Sequence, residues 1–393
     1  MMPILFYGGA ICAREALYAR GWLLVEGRRI AALGDGEAPS SVAALTVDLG
    51  GRTLAPGLID LHTHGAVGCD TMDATPDALR GMAGFFARHG VTGFLATTVT
   101  APPDEILSAL RNIAQVMTEG TGGANLLGAH VEGPFLDPGR LGAQDGRHVR
   151  APAPDELRQM LDTGVVRVLT LAPEVPGAAA LMDCAREAGA VLSAGHTRAT
   201  CEEMIAATRR GLRHVTHLFN GMEPLHHRQP GVVGAALTLP ELTCELIADN
   251  VHVHPAVLLL AWRAKGTERI VLVTDAMRGA GMPDGRYLLG GLEVILQGGE
   301  ARLPSGNLAS STLTLERAVA NMMAATGLTL AEALPMATAV PAQTLGLADR
   351  KGSLAPGLDA DLVVLDAELH VDLTVVGGEV VHASGALSVP ACP

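Results

Sequence analysis

The chain has 393 residues, of which 48% are hydrophobic, 18% charged and only 3% aromatic, and its net charge is −13. That length suits one large domain with a smaller companion, and the core must be built mainly from Ala, Val, Leu and Gly. So acidic a chain has no general attraction for nucleic acid, and it can hold an anion only through locally placed cations and backbone N–H groups.

The first 54 residues read as short strands and turns: PILFYGG, GWLLVEG, RRIAALG and LTVDLGGRTLAPG are punctuated by glycine and show no helical period. The middle of the chain alternates. Apolar, strand-like runs occur at 56–62, 91–99, 126–132, 165–172, 190–196, 213–219, 244–250 and 269–275, and amphipathic stretches such as TPDALRGMAGFFARHG and DEILSALRNIAQVMTEG lie between most of them. Near-continuous apolar strands alternating with helices imply a parallel sheet covered on both faces. Eight such strands are the number that closes a (β/α)8 barrel of the TIM type. The C-terminal stretch, GSLAPGLDADLVVLD followed by HVDLTVVGGEVVHASG, is strand-rich again. The expected architecture is therefore α/β: a barrel over 55–344 and a small β-sandwich domain formed by both termini, 1–54 with 345–393.

Polar residues stand at the ends of several barrel strands. His62 and His64 end the first, Glu132 the third, His196 the fifth and Asp275 the eighth, while His217 lies in the sixth. Active sites of such barrels form at the C-terminal ends of the strands, so these side chains should converge on one mouth. Side chains alternate along a strand, so His62 and His64 share a face and can reach one ion. A His-x-His pair alone is weak evidence, but two more histidines and a glutamate at other strand ends point to a divalent metal, with zinc expected first and iron, manganese or cobalt as alternatives. Asp275, after a buried apolar run, has the position of a general base and acid. His130 shares the face of Glu132 and suits a supporting role; His89 and His214 read as structural or solvated; His226 and His227 lie in a loop.

Six cysteines, Cys12, Cys69, Cys184, Cys201, Cys244 and Cys392, form no C-x-x-C pair and suggest no disulfide framework, so a reduced, cytoplasmic protein is expected. The N-terminus has no basic region followed by an apolar run and cleavage site, and no charge-free apolar stretch reaches about 18 residues, so no membrane association is expected.

LAPGLIDLHTHG, GAHVEGPFL, LSAGHT, THLFNGMEPL, LVTDAM and NLASSTLTL, spread over nearly the whole chain, together resemble the N-acetylglucosamine-6-phosphate deacetylase family of the amidohydrolase superfamily. The resemblance implies a distorted (β/α)8 barrel with a β domain from both termini, and removal of acetate from an amino-sugar 6-phosphate. It implies Glu132, His196 and His217 as the main metal ligands and His62 with His64 as the pair that holds a second ion in some members, so one or two ions per subunit. It implies Asp275 as acid and base. Asn220, Gly221, Arg228, Asp249 and His252 match contacts to the sugar phosphate, and Ala143, Leu308, Ala309 and Ser310 match further sugar contacts. A neighbouring subunit helps complete the phosphate site in the family, which implies a homodimer.

One position departs from the pattern. Family members often carry a histidine after the EGP loop, held to polarise the acetamide carbonyl; here Gln144 stands there, with His148 four residues on. An amide N–H can still donate to an oxyanion, but it cannot become a cation.

Three other readings compete. A cyclic-amide hydrolase would bridge two metals with a carboxylated lysine, and the only lysines, Lys265 and Lys351, lie outside the strand-end pattern. A deacetylase of N-acetylgalactosamine 6-phosphate differs by one hydroxyl epimer. A catalytically silent sugar-phosphate-binding barrel is the reading from a different class.

Overall fold

The structure, a computed structural model, describes residues 2–38 and 44–388; Cys392 lies outside them. The eight apolar runs form one parallel sheet in chain order: Leu58–Thr63, Val91–Thr98, Asn125–Glu132, Val166–Leu171, Val191–Ala194, His214–Val215, Thr243–Leu246 and Ile270–Leu272. All eight residues of Val91–Thr98 are buried, as a strand with helices on one side and a packed barrel interior on the other must be. The first and eighth strands meet just beyond the end of the eighth. The N–H of Asp275 donates to the His62 carbonyl at 2.8 Å, and the N–H of His64 donates to the Ala276 carbonyl at 2.8 Å.

The covering helices follow from local sequence. Thr75 caps Pro76–Arg88 by accepting from the Ala78 N–H, and proline at the first turn gives up a donor that would have no partner there. In Pro103–Glu119, Ile106, Leu110 and Ile113 recur at helical spacing and are all fully buried against the sheet. Truncating one of them to alanine would cost about 2–5 kcal/mol. Thr200 and Glu203 form a reciprocal capping box at the start of Cys201–Arg209.

Both termini build a second eight-stranded sheet. Thr53–Pro56 from the N-terminal side pairs antiparallel with Leu362–Leu365 from the C-terminal side. The sheet branches at Ile4–Cys12, which pairs with Leu17–Glu26, Leu45–Asp48 and Thr53–Pro56. It has its own apolar cluster, in which Phe6, Leu23, Ile30 and Leu54 meet Leu362, Val364 and Leu373. The Thr374 hydroxyl donates to the Ala87 carbonyl at 2.7 Å, tying this sheet to the first barrel helix.

One element has no counterpart among the expected strands. After the eighth barrel strand, Gly285–Leu289, Leu292–Gln297 and Glu300–Arg302 form an antiparallel three-stranded sheet. Its sequence signal is present: the Gly-Gly pairs 290–291 and 298–299 occupy the two turns. No single helix among the described residues is long and apolar enough to cross a membrane.

Candidate active site

His62 and His64 project from the end of the first barrel strand, and both are buried. Glu132 ends the third strand and reaches the same point. Its Oε1 lies 3.0 Å from His196 Nε2 and 3.0 Å from His217 Nε2, and those two nitrogens are 3.1 Å apart. Its Oε2 lies 3.4 Å from His64 Nε2, which is in turn 3.3 Å from His62 Nε2 and 3.2 Å from Asp275 Oδ1. The ligand atoms fall into two triads that share Glu132: His62 and His64 on one side, His196 and His217 on the other.

The tautomers decide what this cluster can hold. His196 Nδ1 sits 2.9 Å from the Arg140 carbonyl, which can only accept, so the proton is on Nδ1 and the Nε2 lone pair faces the cluster. His62 Nδ1 sits 2.9 Å from the Glu245 carboxylate with the same result. The Nε2 lone pairs of His62 and His196 thus face the oxygens of Glu132, with His64 and His217 beside them, the donor set of a divalent cation. Burial, the largest influence on His62, lowers its pKa, but Glu245, Glu132 and Asp275 outweigh it and hold the imidazole well above its usual range. The surroundings favour positive charge at that point. Burial likewise pushes Glu132 and Asp275 upward, and His62 leads the neighbouring histidines in holding both below the ordinary carboxylate range.

Glu245 was not among the expected site residues. It is fully buried, and besides His62 Nδ1 it accepts from the His217 N–H at 3.0 Å and from His214 Nε2 at 3.1 Å. His214 is therefore structural in the expected sense, but its structure serves the site. The available signal was a lone carboxylate inside the apolar run TCELIA, which cannot be buried without partners. His130 has both nitrogens committed, Nδ1 to the Leu61 carbonyl at 3.0 Å and Nε2 to Thr170 Oγ1 at 2.6 Å. Burial, then the charge of His62, push its pKa down to about 3, so it is a neutral support and no ligand.

Gln144 occupies the mouth with its amide fixed at both ends. Its oxygen accepts from the Thr100 N–H at 2.7 Å, which forces its NH2 toward Glu132 Oε2 at 2.6 Å. One N–H is thus spent on the carboxylate and one remains. His148 is directed elsewhere: it is 3.9 Å from Asp145 and does not line the pocket. The lysines are remote as well. Lys265 donates to the Leu239 carbonyl, and Lys351 pairs with Asp359 and Asp361.

A cavity of about 250 Å³ opens over the cluster, lined among others by Ala143, Gln144, Asn220, Gly221, His252, Asp275, Leu308 and Ser310, with Leu289 from the three-stranded insertion. A Cβ at Gly221 would fall 2.9 Å from His196 Nδ1, so only glycine lets this turn pass the ring. His252 Nδ1 is 2.6 Å from Asp249 Oδ2, which leaves Nε2 as the free end of the ring. Burial raises the Asp249 carboxyl, but the His252 ring and the backbone N–H groups outweigh it and keep it below the usual range. Three expected contacts stand off the wall. Ala309 packs into the apolar cluster of Val99 and Met277, Asp249 stands behind His252, and Arg228 is exposed on a turn with Nη1 2.8 Å from His227 Nε2. Alternation along the 308–310 segment explains Ala309, since its neighbours on both sides face the cavity.

Backbone strain gathers here. His196, His217, Phe219, Asp275 and Ser310 all have positive φ, at 47°, 28°, 82°, 48° and 58°. Such conformations cost of order 1–3 kcal/mol each for residues with a Cβ and persist where surrounding structure dictates them.

Comparison with known proteins agrees with this geometry. The sequence profile of the amidohydrolase family matches residues 53–381, and the chain belongs to that family. Within it, the chain is similar to an N-acetylgalactosamine-6-phosphate deacetylase of Escherichia coli O157:H7, 43% identical over 93% of this chain and 97% of the relative. It is also similar to an N-acetylglucosamine-6-phosphate deacetylase of Vibrio furnissii, 42% identical over 85% of this chain and 84% of the relative. Among solved structures, an aspartate-to-alanine mutant of the Mycobacterium smegmatis N-acetyl-D-glucosamine-6-phosphate deacetylase, in complex with N-acetyl-D-glucosamine-6-phosphate, superposes with a TM-score of 0.92 at 36% identity, covering 97% of this chain and all of that one.

Proposed function

We propose that this protein removes the acetyl group from N-acetyl-D-glucosamine 6-phosphate, giving D-glucosamine 6-phosphate and acetate in amino-sugar catabolism. The observation that carries this reading is the convergence of four imidazole Nε2 atoms, Glu132 and Asp275 beneath a sugar-sized cavity. Glu132, His196 and His217 would hold one divalent ion, and His62 and His64, whose triad also includes Glu132, would hold a second; the nitrogen and oxygen donors suit zinc first, then iron, manganese or cobalt. When bound, the ion supplies a Lewis acid that polarises a carbonyl and lowers the pKa of water.

The chain's own residues supply the rest. Asp275, ionised at neutral pH and steadied by Ser310 Oγ at 3.3 Å, accepts a proton from the attacking water at its carboxylate. Water adds to the acetamide carbonyl carbon, and the remaining Gln144 N–H donates to the oxygen on which charge develops. Asp275 then returns the proton to the departing nitrogen as the C–N bond breaks. Asn220, Gly221, Ala143, Leu308 and Ser310 orient the sugar, and the Nε2 end of His252 meets the phosphate. Arg228, exposed beside the half-exposed Leu225, suits a role across a homodimer interface, serving the neighbouring subunit's phosphate site. Five unpaired thiols among the described residues favour the reducing cytoplasm.

The galactosamine relative at 43% identity keeps the epimer as a second reading. Acetate release from metal-loaded protein, measured against both N-acetylated epimers with and without the 6-phosphate, tests both. Turnover of the glucosamine ester in preference to the galactosamine ester supports the first reading, the reverse preference the second. Inactivity on every phosphorylated sugar would refute both and leave the silent binding barrel.

A further inference from the structure

A cleft of about 640 Å³ opens at the other end of the barrel, where Asn125, Arg167 and Val191 stand at the starts of the third, fourth and fifth strands. It is walled on its far side by the terminal sheet. Five cationic side chains line it, Arg28, Arg29, Arg167, Arg350 and Lys351, against two carboxylates, Asp359 and Asp361, an excess of three positive charges. In a chain of net charge −13 with two lysines this is a marked local reversal.

The two carboxylates are already saturated. Asp359 receives Arg29 at 2.8 Å, Arg350 at 3.1 Å and Lys351 at 3.1 Å, and Asp361 receives Lys351 and the Gly377 N–H. Lys351 is 7% exposed, and two of its three N–H donors serve these aspartates, so one is left at the floor of the cleft. Arg28 and Arg167 meet no carboxylate among the described residues; Arg167 spends only its Nε, on the Leu127 carbonyl at 3.3 Å. Both lie over glycines that leave them room. A Cβ at Gly377 would fall 2.9 Å from Arg28 Nη2, and one at Gly128 would fall 2.5 Å from Arg167 Cγ.

We propose that this cleft binds a small phosphate-bearing anion, at a site separate from the catalytic mouth. Two unpaired guanidinium forks above a buried ammonium match the planar acceptor pairs and multiple charge of a phosphate group. The occupant would join Arg28 of the terminal sheet to Arg167 of the barrel, so binding raises the melting temperature.

The test is calorimetry and thermal unfolding of the metal-loaded protein with inorganic phosphate and with pyrophosphate. The expected result is a binding event, distinct from any at the catalytic pocket and retained in His252→Ala, that weakens at least about tenfold in Arg28→Ala/Arg167→Ala, while kcat for deacetylation stays unchanged. Both arginines are exposed surface residues, so the double variant should fold, and circular dichroism checks it. Unaltered phosphate binding in that variant would overturn the proposal. So would binding abolished by His252→Ala alone, which would place the anion in the catalytic pocket, or no binding to the wild type.

Discussion

His62 Nδ1 and Glu245 Oε2 lie 2.9 Å apart in a part of the barrel that solvent does not reach. Glu245 has three donors and no competing cation beyond the histidines it holds, so it fixes one tautomer of His62 and aims one nitrogen at Glu132 and His64. Gln offers a single acceptor oxygen in its place. Glu245→Gln should therefore weaken the ion held by His62 and His64 by about 10–100-fold while leaving the Glu132, His196 and His217 ion in place. Metal analysis after graded chelation checks this; equal retention of both ions would count against Glu245.

His62→Gln/His64→Asn removes the same ion directly. Wild type should carry up to two ions per chain and the double variant one. Identical stoichiometry in the two proteins would defeat the two-ion arrangement.

Asp275→Asn keeps the size and removes the proton acceptor. The variant should retain its metal and lose about 10²–10⁴ in kcat. A near-normal rate of acetate release would remove Asp275 from its assigned role.

Gln144→Glu puts a carboxylate against Glu132 Oε2 where an N–H now donates. Like charges at that distance cannot both ionise freely, so metal affinity should fall about 10–100-fold. Gln144→Ala removes the donor without adding charge and should cost less affinity. The reverse order, measured by chelator competition, would contradict the amide orientation.

Burial pushes the thiols of Cys12 and Cys244 up to about 11 and about 12. A raised thiol pKa means less thiolate at a given pH: at pH 8 roughly a thousandth of Cys12 and a ten-thousandth of Cys244 are ionised. In native protein these two should resist a thiol reagent at pH 8 while the half-buried Cys184 and Cys201 react, and unfolding should release them. Rapid native labelling of Cys244, read by peptide mass, would be inconsistent with its position.

The barrel was legible because strands buried on both faces must be apolar throughout, and the six strand-end residues were legible because they interrupt that rule at its edge. Glu245 interrupts it in mid-strand, and its meaning depends on His62, 183 positions earlier, a distance that periodicity does not span. No pattern in LGAQDG announces that the Thr100 N–H takes the Gln144 oxygen and turns one of its N–H groups to Glu132. Arg228 was placed by motif; its exposure depends on where its turn leaves the surface. The three-stranded insertion is marked in the sequence only by its two Gly-Gly turns, because its short hairpin strands stand outside the alternation of strands and helices.

The backbone bonds that join His62 to Asp275 and His64 to Ala276 are also the seam of the barrel. Residues that begin the barrel and residues that end it must come together, across more than two hundred positions of chain, before the Asp275 carboxylate stands beside the histidine pair. An ion held by the pair would add a further tie across that seam. The groups of the proposed site can therefore assemble only once the eighth barrel strand has joined the first, while the three-stranded insertion and the C-terminal strands are still to come in the chain.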